Sequence, residues 1–300
     1  MPYRLKRKES VDEGLKRVAL EQLQRAQQEC EDRDLDGDTT VHQIRKRMKK
    51  MRALLRLAKD PLGDKTFRSG NHRARFLARR LAGDRDAQVM LDTAIALAGD
   101  DPVLAGAGFE QVQTQLQTQV GHHEQQSDLL LRLQQSRQEL IEMQNEVAEW
   151  PLRGKGFSTI ESGLRRAYKR GRKALKKVAR DANDEDMHTW RKRVKDYWYH
   201  VRLLENAWPG LMTCQADELK LLSELLGDHN DLSVLEKTLM QLPGEVLGDA
   251  QKDVWEGRIG REKRRLRRHA MLLGRRIYTE PAGRLIDRVE GYWEVWKGHR

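Results

Sequence analysis

Apolar residues recur along this chain at intervals of three and four residues, the spacing that places them on one face of an α-helix. One such series is Ile44, Met48, Met51 and Leu55. The pattern predicts four main helices in each half of the chain and a short helix after Pro281. The predicted ranges are 10–31, 40–59, 70–98 (interrupted at Gly83), 109–149, 158–181, 185–207, 215–241 (interrupted at Gly227) and 246–278.

The composition agrees with an all-α fold. Helix-forming residues dominate, Pro is scarce at 7 of 300 residues, and alternating runs of β-branched residues are nearly absent. The two cysteines, Cys30 and Cys214, lie far apart and have no metal-ligand spacing. The N-terminus lacks a signal-peptide pattern, and no apolar run is long enough to cross a bilayer. We therefore expect a cytoplasmic protein that needs neither a disulfide nor a cofactor to fold.

Three blocks of sequence occur twice in the same order, which indicates an internal duplication. The most similar pair is 41–49 and 187–195, in which a His precedes a run of basic residues. The other pairs are 13–17 with 162–166 and the Gly-Asp blocks 81–86 with 225–231, at offsets of 144 to 149 residues. We predict two modules, 1–151 and 152–300, joined near the Pro- and Gly-containing stretch 150–156.

Each repeated histidine segment predicts a helix with one buried face and a separate basic face. In the first segment the basic stripe is His42, Arg45, Lys49, Arg52 and Arg56. In the second segment the basic stripe is His188, Arg191, Lys195 and Arg202, beside a core series of Trp190, Val194, Tyr197, Val201 and Leu204. Each stripe is about 20 Å long, because an α-helix rises 1.5 Å per residue.

The predicted helix 158–181 carries the densest positive charge in the chain. Its stripe is Arg165, Lys169, Arg172, Lys176 and Arg180, and the row beside it is Arg166, Arg170, Lys173 and Lys177. Like charges four residues apart destabilise an isolated helix, and only Glu161 interrupts them. This arrangement favours a bound anion over an ordinary solvated face.

Positive charge is concentrated in four spans, which are 41–57, 157–180, 187–204 and 257–276. They hold 30 of the 57 Lys and Arg residues but only three of the 46 acidic residues. Charge separation of this size attracts a polyanion. Aromatic residues that could stack on bases are scarce in the basic stripes, so we expect a phosphate polymer rather than RNA or DNA, which would bind only non-specifically.

These features resemble the CHAD family (conserved histidine α-helical domain). The resemblance rests on the His-x-x-Arg-Lys-x-x-Lys segments that begin at His42 and His188 and on the Gly-Asp blocks after them, and it extends from about Tyr3 to Trp296. It implies two pseudo-symmetric four-helix bundles. It also implies non-catalytic binding of inorganic polyphosphate in a basic channel between the bundles, and some members associate with polyphosphate granules.

The resemblance and the stripes together assign polyphosphate binding to three helices. From the first module the residues are His42, Arg45, Lys46, Lys49, Arg52 and Arg56. From the second module they are Arg165, Arg166, Lys169, Arg172, Lys173, Lys176, His188, Arg191, Lys192, Lys195 and Arg202. The first module has a weaker counterpart of helix 158–181, because mostly uncharged residues follow Lys16 and Arg17. We therefore expect the second module to contribute more of the binding.

Two other functions fit parts of the sequence. A metal-dependent phosphohydrolase could use His42 and His188 with the Gly-Asp blocks, and a nucleic-acid-binding factor could use the basic stripes. Against hydrolysis, the basic spans hold too few carboxylates to bind Mg²⁺ readily, and no nucleophile or phosphate-loop motif is present. The aspartates of the Gly-Asp blocks are predicted to cap helices instead; they are Asp84, Asp86, Asp228 and Asp231.

The histidines of the basic stripes are expected to respond to the ligand. Neighbouring cations should lower the pKa of His42 and His188, so that each imidazole is neutral at pH 7 until an anion binds. Each would then donate a hydrogen bond to phosphate and gain a proton. His122 and His123 have no third ligand at a suitable spacing, and we predict an exposed pair rather than a metal site.

Overall fold

A computed structural model of the chain describes residues 3–32, 37–81, 85–99, 101–121, 126–152, 154 and 156–298, without the side chains of 85–87, 119–121 and 126–128. These residues form twelve α-helices, one 3₁₀ turn (205–207) and no β-strand, which confirms the all-α prediction. The helices are α1 (Val11–Glu31), α2 (Gly37–Leu57), α3 (Lys59–Arg80), α4 (Arg85–Ala98), α5 (Pro102–Ala105), α6 (Phe109–Gly121), α7 (Gln126–Ala148), α8 (Ser158–Arg180), α9 (Asp184–Leu203), α10 (Pro209–Met240), α11 (Asp249–Ile277) and α12 (Ala282–Lys297).

The largest differences from the predicted helices occur where breaks or ends were predicted. Helix α10 runs without interruption through Gly227, so the predicted break there is wrong. Asp228 and Asp231 lie inside that helix, and the prediction that they cap one is also wrong. Helix α3 begins at Lys59, well before the predicted start at residue 70, and α12, the predicted short helix after Pro281, has 16 residues.

Several predicted features lie outside the described residues. They are the break at Gly83, the cap at Asp84 and the histidine pair His122 and His123. The backbone of Asp86 lies in α4, but its side chain is not described.

Eight of the helices pack as two groups of four. In the first group α1 contacts α2 and α7, while α3 contacts α2 and α7. In the second group α8 contacts α9 and α11, while α10 contacts α9 and α11. Two closed groups fit the predicted pair of bundles, although the module boundary at 151–152 stays a prediction. The predicted core series of α2 and α9 are buried in this arrangement, with Ile44, Met48, Trp190 and Val194 fully inaccessible.

A second hydrophobic core joins the two halves of the chain. Helices α10 and α11 have 32 and 29 residues, against 23 and 20 in α8 and α9, so one end of the long pair extends beyond the group. Helices α4 and α5 pack against this extension, and α6 packs on α4. Trp255 of α11 is fully buried there, and its indole donates to the carbonyl of Ala107 (3.1 Å). Residues 85–121 thus complete the core of the second half.

The end of α2 lies directly against α8 and α9. A Cβ atom on Gly163 of α8 would lie 2.0 Å from the carbonyl oxygen of Leu57, so no other residue fits at this crossing without displacing a helix. On α9, Nε2 of the buried His200 lies 2.8 Å from the carbonyl oxygen of Ala53. These contacts fix how the two histidine helices face each other.

Candidate functional site

Helices α2 and α9 cross in an antiparallel sense and bring their basic stripes together. Lys49 lies close enough to Lys195, and Arg52 close enough to Lys192, to lower the pKa of the two lysines. The guanidinium of Arg56 donates to Oδ1 of Asp196 on α9 (3.0 Å). Lys49 and Lys195 occupy equivalent positions of the repeated segment. We call the basic surface along which these two stripes meet the central groove.

Burial and neighbouring charges destabilise the charged forms of cations in the central groove. Burial, followed by the charges of Arg191 and Lys49, lowers the pKa of Lys195 from 10.5 to about 7. Burial and then Arg56 lower the pKa of Arg52 to about 10. The pKa of Lys192 is lowered for the same kinds of reason, with burial as the largest cause. Because all three shifts disfavour the charged form, an anion placed between these groups would relieve mutual repulsion.

Helix α3 adds cations that the sequence analysis missed. Nε of Arg52 donates to Oδ1 of Asn71 (3.2 Å), and Arg75 and Arg79 lie close enough to lower the pKa of Arg52. Arg75 also lies close enough to Lys192 to lower the pKa of that lysine. The signal was present in the sequence as a third exposed series at spacings of four, three and four: Arg68, His72, Arg75 and Arg79.

The second histidine is held by the Gly-Asp block of α10. Asn230 makes a hydrogen bond with the side chain of His188, and Nη1 of Arg191 lies 4.0 Å from Oδ1 of Asp231. A Cβ on Gly227 would meet the Arg191 guanidinium at 3.1 Å, so Arg191 packs against the helix backbone. The block therefore orients the basic segment. Its counterpart near His42, which is half-buried on α2, falls on residues without described side chains.

The pKa of His188 is lowered, which confirms the predicted direction for this residue. Burial is the largest cause, ahead of Lys192, and the hydrogen bond with Asn230 partly opposes it. Nδ1 of His188 is inaccessible and has no hydrogen-bond partner among the described residues. Burial and the nearby cations together favour the neutral imidazole near pH 7 in the free protein.

Helix α8 presents its two basic rows to different surroundings. Arg166 donates to both carboxylate oxygens of Asp60 on α3 at 2.9 Å, and Arg170 lies near Arg193 and Arg56. This row borders the central groove. Arg172 lies about 120° from Arg166 around the helix axis.

The other row of α8 faces α11 and α12. Arg165 approaches Gly283 of α12. Arg172 lies close enough to the buried Tyr168 to oppose the rise of its pKa. The Tyr168 hydroxyl donates to the carbonyl of Glu280, which follows α11. The structure therefore does not bring Arg165, Lys169, Arg172 and Lys176 together with the α2 and α9 stripes. Lys173, of the same row as Arg166, is exposed. Periodicity showed that the rows exist but not which one borders the groove.

Carboxylates neutralise part of the predicted stripes. Asp196 accepts from Arg56 and lies 3.6 Å from Arg193. Arg166 is paired with Asp60 and Arg165 with Glu161 (2.6 Å). These arginines offer less free positive charge than the sequence suggested, whereas the described carboxylates form no ion pair with Lys192 or Lys195.

Near the C-terminal end of α9 two cations of different helices lie close together, whereas Asp196 earlier in α9 forms an ion pair with α2. Arg202 lies over the Trp198 ring (5.1 Å) and close to Lys50 of α2. Lys50 is 7% exposed, and burial, then Arg47 and Arg202, lowers its pKa to about 7. In the repeat, Lys50 is equivalent to Asp196. The two repeated segments therefore differ in charge at this contact.

Comparison with known proteins agrees with this arrangement. The family model described as the CHAD domain matches residues 17–240. The chain belongs to the CHAD domain family. It is also similar to the crystal structure of the CHAD domain from the plant Ricinus communis, with a TM-score of 0.56 and 18% identity over 97% of this chain and 94% of that chain. This likeness shows the fold alone. No curated protein matches the chain.

Across the described ranges, no group of three or more His, Cys, Asp or Glu residues is arranged to hold a metal ion. Within the same ranges, no helix is both long and apolar enough to span a bilayer.

Proposed function

We propose that this CHAD protein binds inorganic polyphosphate along the central groove and does not hydrolyse it. The observation that carries the proposal is the meeting of two cationic stripes from different halves of the chain, with Lys49 beside Lys195 and Arg52 beside Lys192. Phosphate oxygens can accept from both lysine ammonium and arginine guanidinium groups. The family is known in general to bind polyphosphate.

The aromatic rings of α9 beside the groove favour a polymer without bases. Trp190 and Tyr197 of α9 are buried in the core, and Trp198 is covered by Arg202 and packs on Tyr199 (4.9 Å). Nucleic-acid binders without sequence preference usually stack bases on exposed aromatic rings. These three rings are not free to do so.

The same residues argue for binding without hydrolysis. Asp196, an acid beside the groove, already accepts from Arg56 and lies near Arg193, so it is poorly placed to ligate Mg²⁺. Phosphoanhydride hydrolysis commonly needs such an ion to activate water. We therefore infer that the ligand is held and released intact.

Titration with polyphosphate tests the proposal directly. The groove variant is Lys49→Glu/Lys192→Glu, because both side chains are exposed and can change without loss of the core. We expect affinity to fall by about tenfold or more for each lost contact, since a charged hydrogen bond contributes about 1.5–3 kcal/mol. The control Lys8→Glu/Lys237→Glu makes the same change in net charge at exposed residues outside the three basic helices.

Three results would contradict the proposal. Equal losses in the groove variant and the control would show that net charge, not the groove, determines binding. Release of orthophosphate with Mg²⁺ or Mn²⁺ would favour the phosphohydrolase. Displacement of long polyphosphate by DNA at equal phosphate concentration would favour the nucleic-acid-binding factor. In cells that store polyphosphate as granules, we expect a fluorescent fusion to collect on the granules and the groove variant to remain dispersed.

A further inference from the structure

A second basic surface lies on the opposite side of α8 from the central groove. It consists of Arg172, Lys176 and Arg180 of α8 with Arg264, Arg268 and Arg275 of α11, and we call it the outer basic face. Five of the six side chains are exposed, and Arg172 is half-buried. The described carboxylates form no ion pair with any of them.

The packing of α8 on α11 places these residues in two adjacent rows. A Cβ on Gly171 would meet the hydroxyl of Tyr278, and one on Gly274 would lie 3.3 Å from Leu175. The two helices therefore run antiparallel in direct contact, and their axes are about 8–10 Å apart. Leu266, Ala270 and Leu273 fill the inner face of α11. The arginines point outward because they lie on the opposite side of the helix.

The positive charge of α11 is not required by its position in the bundle. In the duplication its counterpart is the segment 109–149, which has two arginines and seven acidic residues, whereas 257–276 has nine basic residues and one acid. Three cations of α11 are neutralised, through Arg258 with Asp101, Lys263 with Asp184 and Glu236, and Arg265 with Glu262. Arg264 and Arg268 remain as like charges four residues apart, an arrangement that destabilises a helix unless an anion is bound.

The cations of α8 connect the outer basic face with the central groove. Arg166 and Arg170 border the groove, Lys173 lies on the exposed top of the helix, and Arg172 and Lys176 lie on the far side. A phosphate polymer leaving the groove can therefore cross α8 without meeting a carboxylate on that helix after Glu161. The described Tyr and Trp side chains of α8 and α11, Tyr168 and Trp255, are buried.

We propose that the outer basic face is a second anion-binding surface, which takes the part of a polyphosphate chain that extends beyond the central groove. Five of its six residues are arginines, whose planar forks hold phosphate through paired hydrogen bonds. Leu272, 60% exposed, lies between Arg268 and Arg275 in the sequence of α11 and adds no charge to the face. This proposal rests on the proposed function of the groove. It predicts in addition that the affinity for polyphosphate depends on the length of the polyphosphate chain.

The test compares a short polyphosphate that fits within the groove with one several times longer. The face variant is Arg264→Gln/Arg268→Gln/Arg275→Gln, which replaces exposed arginines with another good helix former. We expect an unchanged Kd for the short chain and a Kd at least tenfold weaker for the long chain. The slope of log affinity against log salt should also fall for the long chain alone, because fewer counterions are released. A matched control is Lys8→Gln/Lys65→Gln/Lys237→Gln, at three exposed lysines.

The outcomes separate this proposal from that of the groove. If the face variant binds the long chain as wild type does, the outer face proposal is overturned and the groove proposal stands. If its affinity falls equally for the short and the long chain, the face is the primary site and the extension model is wrong. If wild type binds neither chain, the groove proposal itself fails. Tighter binding of duplex RNA than of long polyphosphate, lost in the face variant, would assign the face to nucleic acid instead.

Discussion

Asp196 is the residue whose substitution separates stability from ligand binding. It is the only acid in the basic span 187–204, and its carboxylate accepts from Arg56 and lies close to Arg193 and Arg170. Its side chain is 15% exposed. Asp196→Asn keeps the shape of the side chain but removes the charge, and so leaves several guanidinium groups together without a counter-ion.

The two expected effects have opposite signs. Loss of a charged hydrogen bond in a partly buried site lowers the free energy of unfolding by about 1.5–3 kcal/mol. The freed Arg56 can instead bind a phosphate, so the affinity for polyphosphate should rise about tenfold if the new contact contributes about 1.4 kcal/mol. One additional neutralised charge should also steepen the salt dependence of binding by about one in the slope.

Urea unfolding and polyphosphate titration of the same preparations measure both effects. The control is Asp64→Asn, which makes the same charge change but removes only surface ion pairs with Lys59 and Arg68, in which Asp64 is 61% exposed. Such pairs contribute about 0–1 kcal/mol, so we expect a small change in stability. A variant of Asp196 that binds polyphosphate more weakly than wild type would refute the reasoning, because the carboxylate would then be part of the binding site.

Three further predictions concern pH and packing. Polyphosphate affinity should be highest below pH 7 and fall as pH rises through the Lys195 pKa of about 7, and Lys195→Arg should remove this dependence in calorimetric titrations. Lys50→Met should raise the free energy of unfolding by a few kcal/mol at pH 6. This gain should shrink between pH 7 and 10.5. Burial lowers the pKa of Lys50 in the folded state from 10.5 to about 7, so above pH 7 the folded wild type no longer buries a charge at this position. Gly163→Ala should destabilise the fold by about 1–3 kcal/mol in urea, since its Cβ would overlap the Leu57 carbonyl; an unchanged midpoint would contradict this crossing.

The helices of the motif segments were predictable because their cores repeat regularly. Ile44 and Met48 of α2, like Trp190 and Val194 of α9, recur at helical spacing and are fully buried. The predicted break at Gly227 failed for a physical reason. Glycine weakens a helix, but here the missing side chain provides the space in which the Arg191 guanidinium packs. A contact between distant residues therefore outweighed the local preference.

The composition of the groove was only partly predictable. The spacing of basic residues identified the α2 and α9 stripes, but α8 is basic over most of its exposed surface, and periodicity cannot tell which side of such a helix faces a neighbour. Arg166 and Arg172 looked equivalent in sequence, yet only Arg166 borders the groove. Asp196 is a single acid among many bases, and its role appears only where Arg56 of the other half reaches it.

The second core has a consequence for how the chain acquires its structure during synthesis. Residues 85–121 leave the ribosome well before α10 and α11, against which α4 and α5 pack. Apolar side chains such as Leu104, Val112 and Leu116, which are fully buried in the finished protein, must remain uncovered until then. The first half therefore cannot finish folding by itself, and premature termination after residue 151 would leave a fragment with an aggregation-prone surface. The two halves share similar sequence blocks, but the second core forms only from residues of both halves.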